Sequence, residues 1–250
     1  MCPKGKTAMG LVDDVKRLLE AAPEVQALLG LAPFEDFAGL AGALLAGACA
    51  NPAIGQMVTQ VYAANPNLVV TSLYDIEETA RRNFEPGGAA AAILFSRGVQ
   101  AVLAHRVAHA LWGEGKRDVA LALKATCGRA YDTDIHPAAR IGAGFWLDHG
   151  LGFVAGETCI IEEDVSIWHN VTLGSTLTEN SPHRHPHVGR GVVIGAGATL
   201  LGPIKIGEGA NIAAGAMVLT DVEAGSLMTG PKAQLRGVAK VRFTRPGATA

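Results

Sequence analysis

The chain has 250 residues, 49% of them hydrophobic but only 5% aromatic, with 18% charged residues and 31 glycines. That is enough chain to bury a core without disulfides or metals, and the core must be packed from Ala, Val, Leu and Ile. A net charge of −2 offers no general field for nucleic acid, and Cys2, Cys49, Cys127 and Cys159 stand too far apart for a CxxC pair or a disulfide framework.

Asp13 and Asp14 arrive before any apolar run long enough for a signal-peptide core, so secretion is not expected. The longest apolar stretches, Phe37 to Ala50 and Ala89 to Phe95, fall short of the roughly 18 residues of a membrane span. The expectation is a cytoplasmic protein with neither membrane nor nucleic acid as partner.

From about Leu11 to Tyr131 apolar residues recur three and four apart, as in Val12, Val15, Leu18 and Leu19, which predicts helices. Breaks fall at Ala22-Pro23, Ala32-Pro33, Asn51-Pro52, Asn65-Pro66 and Glu85-Pro86-Gly87-Gly88, and the last long helix is predicted from about Ala89 to Trp112. Asp75, just before Ile76-Glu77-Glu78, reads as a helix N-cap. The alanine-rich Gly39 to Cys49 segment reads as a helix in close contact with a neighbour.

After Asp134 the period becomes six. Ile135, Ile141, Leu147, Phe153, Cys159, Val165 and Val171 form one series, and Val188, Ile194, Leu200, Ile206, Ile212, Val218 and Ala224 resume it after a break. A helix would scatter such a series around its surface, whereas a parallel β-helix sends one side chain per short strand inward. At about 18 residues per coil, positions 135 to 229 supply four to five coils. Leu177 to His187, reading LTENSPHRHPH, must leave the coils as one extruded loop. The fold class is therefore α+β, with domains at 1–131 (helical), 132–231 (β-helix) and 232–250. The last is a basic tail carrying Lys232, Arg236, Lys240, Arg242 and Arg245.

The repeat leaves unexplained a polar set: Asp134 and His136, Asp148 and His149, Glu157, and Arg184 with His185 in the loop. His149 is in neither the core nor the small-residue place of its hexad, so its ring points outward. Asp134 precedes it by fifteen residues, close to one coil, where a carboxylate on a neighbouring rung could hold the imidazole. On spacing alone, a solvated surface pair explains these residues as well.

The run DIHPAARIGAGFWLDHGLGFVAGETCIIEEDVSIWHNVTLG, followed by RHPHVGRGVVIGAGATLLGPIKIGEGANIAAGAMVL, closely resembles the serine O-acetyltransferases, hexapeptide-repeat enzymes that open cysteine biosynthesis. The resemblance implies a left-handed β-helix, homotrimers often paired into hexamers through the helical domains, and active sites between neighbouring β-helices. It implies L-serine and acetyl-CoA as substrates, with acetyl-CoA the co-substrate and no metal. Carried over, His149 is the general base and Asp134 its carboxylate partner. Asp148 receives the amino group of serine, Arg184 and His185 receive its carboxylate, and Glu157 of the GET motif stands beside them. Ala196, Gly197, Ala214 and Gly215 would line the acetyl-CoA track, with Lys232 near its phosphates.

Those residue types suit the chemistry. A serine hydroxyl needs a base of pKa near 6.5 to attack a thioester, and a zwitterion needs one fixed cation and one fixed anion. The chain departs from the family in two places. Glu85-Pro86 replaces the usual Asp-Pro of the helical domain, and the C-terminus reads Pro-Gly-Ala-Thr-Ala in place of the terminal isoleucine that docks into cysteine synthase, so that complex is not predicted. Feedback inhibition by cysteine is implied by the resemblance alone. Two rivals share the fold: an acyltransferase for another hydroxylated acceptor, and a γ-carbonic-anhydrase-type zinc hydratase drawing on His149, His169, His185 and His187. His169 counts against the hydratase because the repeat places it in an inward small-residue slot.

Overall fold

The computed structural model describes residues 7–177 and 182–230, together with 232, 234 and 235; Arg236, Lys240, Arg242 and Arg245 of the basic tail lie outside the described residues. Its helices are α1 (Ala8–Ala21), α2 (Glu24–Leu28), α3 (Phe37–Cys49), α4 (Pro52–Ala64), α5 (Pro66–Arg82), α6 (Gly88–Phe95), α7 (Arg97–Gly113) and α8 (Arg117–Tyr131). Side-chain caps start α1, α3 and α4: Thr7 accepts from Gly10 N–H, Asp36 from Gly39 N–H, and Asn51 from Ala53 N–H just ahead of Pro52. The alanine-rich segment is α3, and its small residues let it touch α4. A Cβ on Gly42 would lie 2.7 Å from the Gly55 carbonyl oxygen and 2.2 Å from Thr59 Oγ1.

Two helical expectations are corrected. The helix predicted from Ala89 to Trp112 is broken at Ser96, whose backbone is extended and whose hydroxyl accepts from Val99 N–H. Gln100 Nε2 donates to the carbonyls of Ile93 and Leu94, satisfying the end of α6 that the break exposes. Asp75 is not an N-cap but lies inside α5, buried. Its carboxylate takes Arg106 Nε at 3.0 Å, Arg106 NH2 at 3.1 Å and Phe145 N–H at 3.0 Å, while Arg106 also donates to the carbonyls of Ile141 and Gly142. This buried pair fastens α5 and α7 to the first coil. Tyr74 Oη donates to Asp164 at 2.7 Å and Arg82 to Ser166 Oγ at 2.9 Å, extending the fastening to the second coil.

The β-helix has three parallel faces. The first stacks β1 (Thr133–Ile135), β4 (Phe153–Ala155), β7 (Thr172–Gly174), β10 (Thr199–Leu201) and β13 (Met217–Val218). On the second lie β2 (Arg140–Ile141), β5 (Ile160–Ile161), β8 (His187–Val188) and β11 (Lys205–Ile206), and on the third β3 (Trp146–Leu147), β6 (Ser166–Ile167), β9 (Val193–Ile194), β12 (Asn211–Ile212) and β14 (Leu227–Met228). The loop between β7 and β8 leaves the coils at the corner joining the first face to the second. Among the described residues no helix is long and apolar enough to cross a membrane.

The strand register revises the repeat arithmetic. Ile135 pairs with Ala155, 20 residues on, whereas Ala155 pairs with Leu173 and Leu200 with Val218, each 18 on. The first coil therefore carries two extra residues, in the turn 148–152 that follows β3. From there the true inward strand positions are Ala155, Ile161, Ile167 and Leu173, not Phe153, Cys159, Val165 and Val171. Both sets are fully buried, because the corner residue two places before each strand position also faces inward, and a slip of two is invisible to an apolar count. The last coil loses two residues again: Val222 bridges Ile206, and Ala224, placed inward by the repeat, is exposed.

Candidate functional site

The sequence-predicted residues fall on two of the three corners. At the corner joining the third face to the first, successive turns bring Asp148 and His149, then His169, then Ala196 and Gly197, then Ala214 and Gly215. Gly197 N–H donates to the His169 carbonyl at 3.0 Å and Gly215 N–H to the Ala196 carbonyl at 2.9 Å, so these residues climb the corner rung by rung. Once the two-residue insertion is counted, His149, His169, Ala196 and Ala214 each stand two places after an inward strand residue. They are Leu147, Ile167, Ile194 and Ile212, which occupy one column. His169 is thus not in an inward small-residue slot; that reading came from the shifted phase.

His149 is 64% exposed, its ring pointing outward as expected, and its backbone is left-handed at φ 59° in the lengthened turn. Its Nε2 lies 3.3 Å from Asp148 Oδ2. Gly98 at the start of α7 and Gly150 in the turn hold the turn against the helical half. A Cβ on Gly98 would sit 1.8 Å from the Leu147 carbonyl oxygen, and one on Gly150 3.3 Å from Gly98 Cα. Ala196 is half-buried, and Gly197, Ala214 and Gly215 are exposed, so the corner above His169 is a shallow strip of backbone and methyl groups. Gly197 and Gly215 have φ of 71° and 69°, which glycine adopts without strain.

At the corner joining the first face to the second, His136, Glu157, Thr158, Arg184 and His185 stack on the first three coils. Arg184 NH2 donates to Glu157 Oε2 at 2.8 Å, so Glu157 orients the guanidinium. Thr158 Oγ1 accepts from the backbone N–H groups of Arg184 and His185, at 3.1 and 3.2 Å, and pins the extruded loop. His185 Nδ1 accepts from Thr158 N–H at 3.2 Å, so the ring hydrogen is on Nε2, above Gly156, where a Cβ would come within 1.9 Å of it. Burial first, then the Arg184 charge, hold His185 below the ordinary imidazole range; burial likewise depresses His136, against which Trp112 packs edge-on. Thr158 is the residue that sequence reasoning missed, although the GET motif contained it.

Other expected residues are placed apart. Asp134, on β1, is paired with Lys124 Nζ of α8 at 2.5 Å, and among the described residues makes no hydrogen bond or ion pair with His149. The carboxylate beside the imidazole within the chain is Asp148. Glu85 accepts from Asn83 Nδ2 at 3.3 Å in the turn after α5, and Lys232 is exposed. The four histidines weighed for zinc divide between corners: His149 and His169 share one, His185 is held by Thr158 at another, and His187 Nε2 lies 2.7 Å from Glu162 Oε1 on the second face. Among the described residues no three His, Cys, Asp or Glu side chains of one chain converge as a metal set.

Comparison with known proteins bears on this arrangement. A family model described as bacterial transferase hexapeptide (six repeats) matches residues 185–220. A serine acetyltransferase of Salmonella typhimurium is 41% identical over 185 residues, covering 74% of this chain and 67% of that protein. The crystal structure of the Neisseria gonorrhoeae serine acetyltransferase in complex with serine superposes with a TM-score of 0.82 at 30% identity, over 93% of this chain and 98% of that one. A serine acetyltransferase solved in complex with CoA superposes at 0.80 with 34% identity, over 90% and 96%.

Proposed function

Since the chain belongs to the serine acetyltransferase family, we propose that it transfers the acetyl group of acetyl-CoA to the hydroxyl of L-serine, with His149 as general base. The observation that carries this reading is the column at one corner: an exposed imidazole at its foot and a strip of small residues rising from it. Acetyl-CoA lying along Ala196, Gly197, Ala214 and Gly215 brings its thioester down to His149. Lys232, exposed, would meet a phosphate at the far end. The imidazole takes the proton of the serine hydroxyl as its oxygen attacks the thioester carbon, a role worth on the order of 10²–10⁴ in rate.

Recognition of the zwitterion belongs to Asp148 for the ammonium and to Arg184 and His185 for the carboxylate, with Glu157 and Thr158 holding the latter two. Within one chain these groups are at opposite ends of the first face, about five residues across, on the order of 15 Å at roughly 3.3 Å per residue. A three-fold assembly that sets one prism's base-bearing corner against the next prism's arginine-bearing corner supplies both halves at once. This supports a homotrimer with its sites in the seams, and pairing of trimers through the helical halves. Asp134 completes the polar wall of that seam, tied to Lys124. The product, an O-acetylated amino acid, fits a cytoplasmic step of cysteine biosynthesis.

The test is CoA release by the purified enzyme offered L-serine, homoserine, threonine and a hydroxylated sugar. Serine is expected to be preferred, and His149→Ala to cut kcat by on the order of 10² or more with the oligomer intact. Preference for the sugar, or near-normal turnover in the variant, refutes the reading.

A further inference from the structure

Cys49 and Cys127 are 78 residues apart in sequence, and the fold brings their sulfur atoms to 3.6 Å, within hydrogen-bond contact. Cys49 is the last residue of α3, and Cys127 lies one turn before the end of α8. Cys49 is half-buried between the exposed Ala48 and Ala50, whereas Cys127 is buried. Acetyl transfer as read above uses neither thiol.

The two sulfurs are unequal. The hydrogen bond from the Cys127 thiol, joined by the Arg129 charge and opposed by burial, holds Cys49 below the ordinary thiol range. The same hydrogen bond, and then burial, hold Cys127 above that range. The thiolate is the nucleophile of sulfur chemistry, so the partly exposed member of the pair is the one prepared to react. Cys159 supplies the contrast: buried in the coils with its Sγ on the Leu173 carbonyl at 3.4 Å, it is pushed up to about 12 by burial.

We propose that Cys49 and Cys127 form a redox modification site, in which a hydroperoxide oxidises Cys49 and Cys127 then closes a disulfide that ties α3 to α8 and slows the enzyme. Only the slowing rests on the acetyl-transfer reading. Cys49 sulfur attacks one peroxide oxygen and the O–O bond breaks. That oxygen stays on Cys49 as the sulfenic acid, and the other leaves with the Cys49 proton as an alcohol or water. Cys127 sulfur next attacks Cys49 sulfur, the S–O bond breaks, and the hydroxide leaves as water with the Cys127 proton. Each sulfur gives up one electron and the peroxide takes both. A disulfide inside a reducing compartment has this transient, redox-sensing character.

Closing the bond draws the sulfurs from 3.6 Å to about 2.0 Å, and α8 leads straight to the site. Its left-handed cap, Asp132, accepts through its carbonyl the N–H of Gly152 at 2.7 Å, in the turn 148–152 that carries His149. A Cβ on Gly128, the residue after Cys127, would stand 2.6 Å from the Thr133 carbonyl oxygen, so α8 cannot shift there without pushing β1. One turn before Cys127, Lys124 holds Asp134.

Wild type, Cys49→Ser and Cys127→Ala test the proposal as full chains. Each is treated with hydrogen peroxide, desalted, and divided between peptide mapping and a turnover assay that follows thioester absorbance, before and after dithiothreitol. Melting temperature and oligomer size of the reduced proteins check folding. Wild type is expected to give a cross-linked peptide joining the Cys49 and Cys127 segments. Its kcat should fall by about tenfold, since a 1 Å misplacement can cost on the order of 10², and return with dithiothreitol. Cys127→Ala should stop at the sulfenic acid, captured at Cys49 by dimedone, and Cys49→Ser should keep its untreated kcat. The proposal is overturned if wild type forms no such cross-link at peroxide doses that leave Cys159 unmodified, or if Cys49→Ser is inactivated as much as wild type. A cross-link with kcat unchanged would overturn the coupling to the His149 turn. Reduced wild type with no turnover on serine would instead remove the acetyl-transfer reading, and the peptide map would still decide whether the site exists.

Discussion

Gly98→Ala tests whether the helical half sets the geometry of the His149 turn, on which the proposed base stands. Gly98 lies in the first turn of α7, where a Cβ would stand 1.8 Å from the Leu147 carbonyl oxygen, 2.9 Å from its carbon and 3.4 Å from its Cβ. All but the last are backbone atoms, so no rotamer change relieves the overlap. Restoring ordinary contact needs a displacement of over about 1 Å between α7 and β3. Overpacking of this kind costs about 1–3 kcal/mol, and at about 2–4 °C per kcal/mol for a chain of this size the melting temperature should fall by about 2–12 °C. Asp148 and His149 directly follow Leu147, and Gly150 rests on Gly98 itself, so the shift reaches the imidazole. A 1 Å misplacement of a reacting group can cost on the order of 10² in rate. The assay is kcat for CoA release together with a thermal melt of the same preparation. A melt lowered as expected with kcat unchanged would show that the turn is positioned without α7, and a melt and kcat both at wild-type values would refute the overlap itself.

The two carboxylates weighed as partners of His149 are separable. Asp148→Asn should reduce kcat more than Asp134→Asn, because Asp148 lies 3.3 Å from His149 Nε2 while Asp134 is held by Lys124; the opposite ranking in steady-state kinetics would return Asp134 to the imidazole. A pH effect on stability follows from His105, buried in α7 and held well below the ordinary imidazole range, chiefly by burial and then by the Arg106 charge. The unfolded chain binds a proton below about pH 6.5 that the folded chain does not, so stability is fully present above that pH and lost as pH falls below it. His136 and His185 add to the same loss. His105→Leu should make the urea midpoint fall less between about pH 7 and pH 5, and an unaltered slope would exclude His105 as a source.

The sequence was legible wherever one residue type answers to one backbone requirement. Prolines 23, 52 and 66 stand at helix starts because they lack a donor, Pro33 lies in the loop between α2 and α3, and the change of period from helical to six announced the β-helix because only a coil repeats that way. Asp75 was misread because its local setting, an acid ahead of two more acids, is that of a cap, whereas its partner Arg106 lies 31 residues away and only tertiary structure joins them. The break at Ser96 was hidden for a similar reason: an alanine-rich run favours an unbroken helix, and the Gln100 amide that satisfies the freed carbonyls of Ile93 and Leu94 comes from the next helix.

The His149 turn shows the same limit at the site itself. Two residues inserted there leave every apolar position apolar, because strand and corner residues two apart both face the core. Hexad counting therefore keeps its phase on the wrong set and assigns His169 to the interior. Hydrogen-bond register, which counts backbone partners and ignores side-chain type, detects the insertion at once and aligns His169 with Ala196 and Ala214. The lengthened turn at the foot of the column holds His149 at φ 59° with its side chain 64% exposed, whereas the next turn, of ordinary length, carries His169 half-buried. A turn that departs from its own repeat is where an imidazole could be set on the outer wall without disturbing the core behind it.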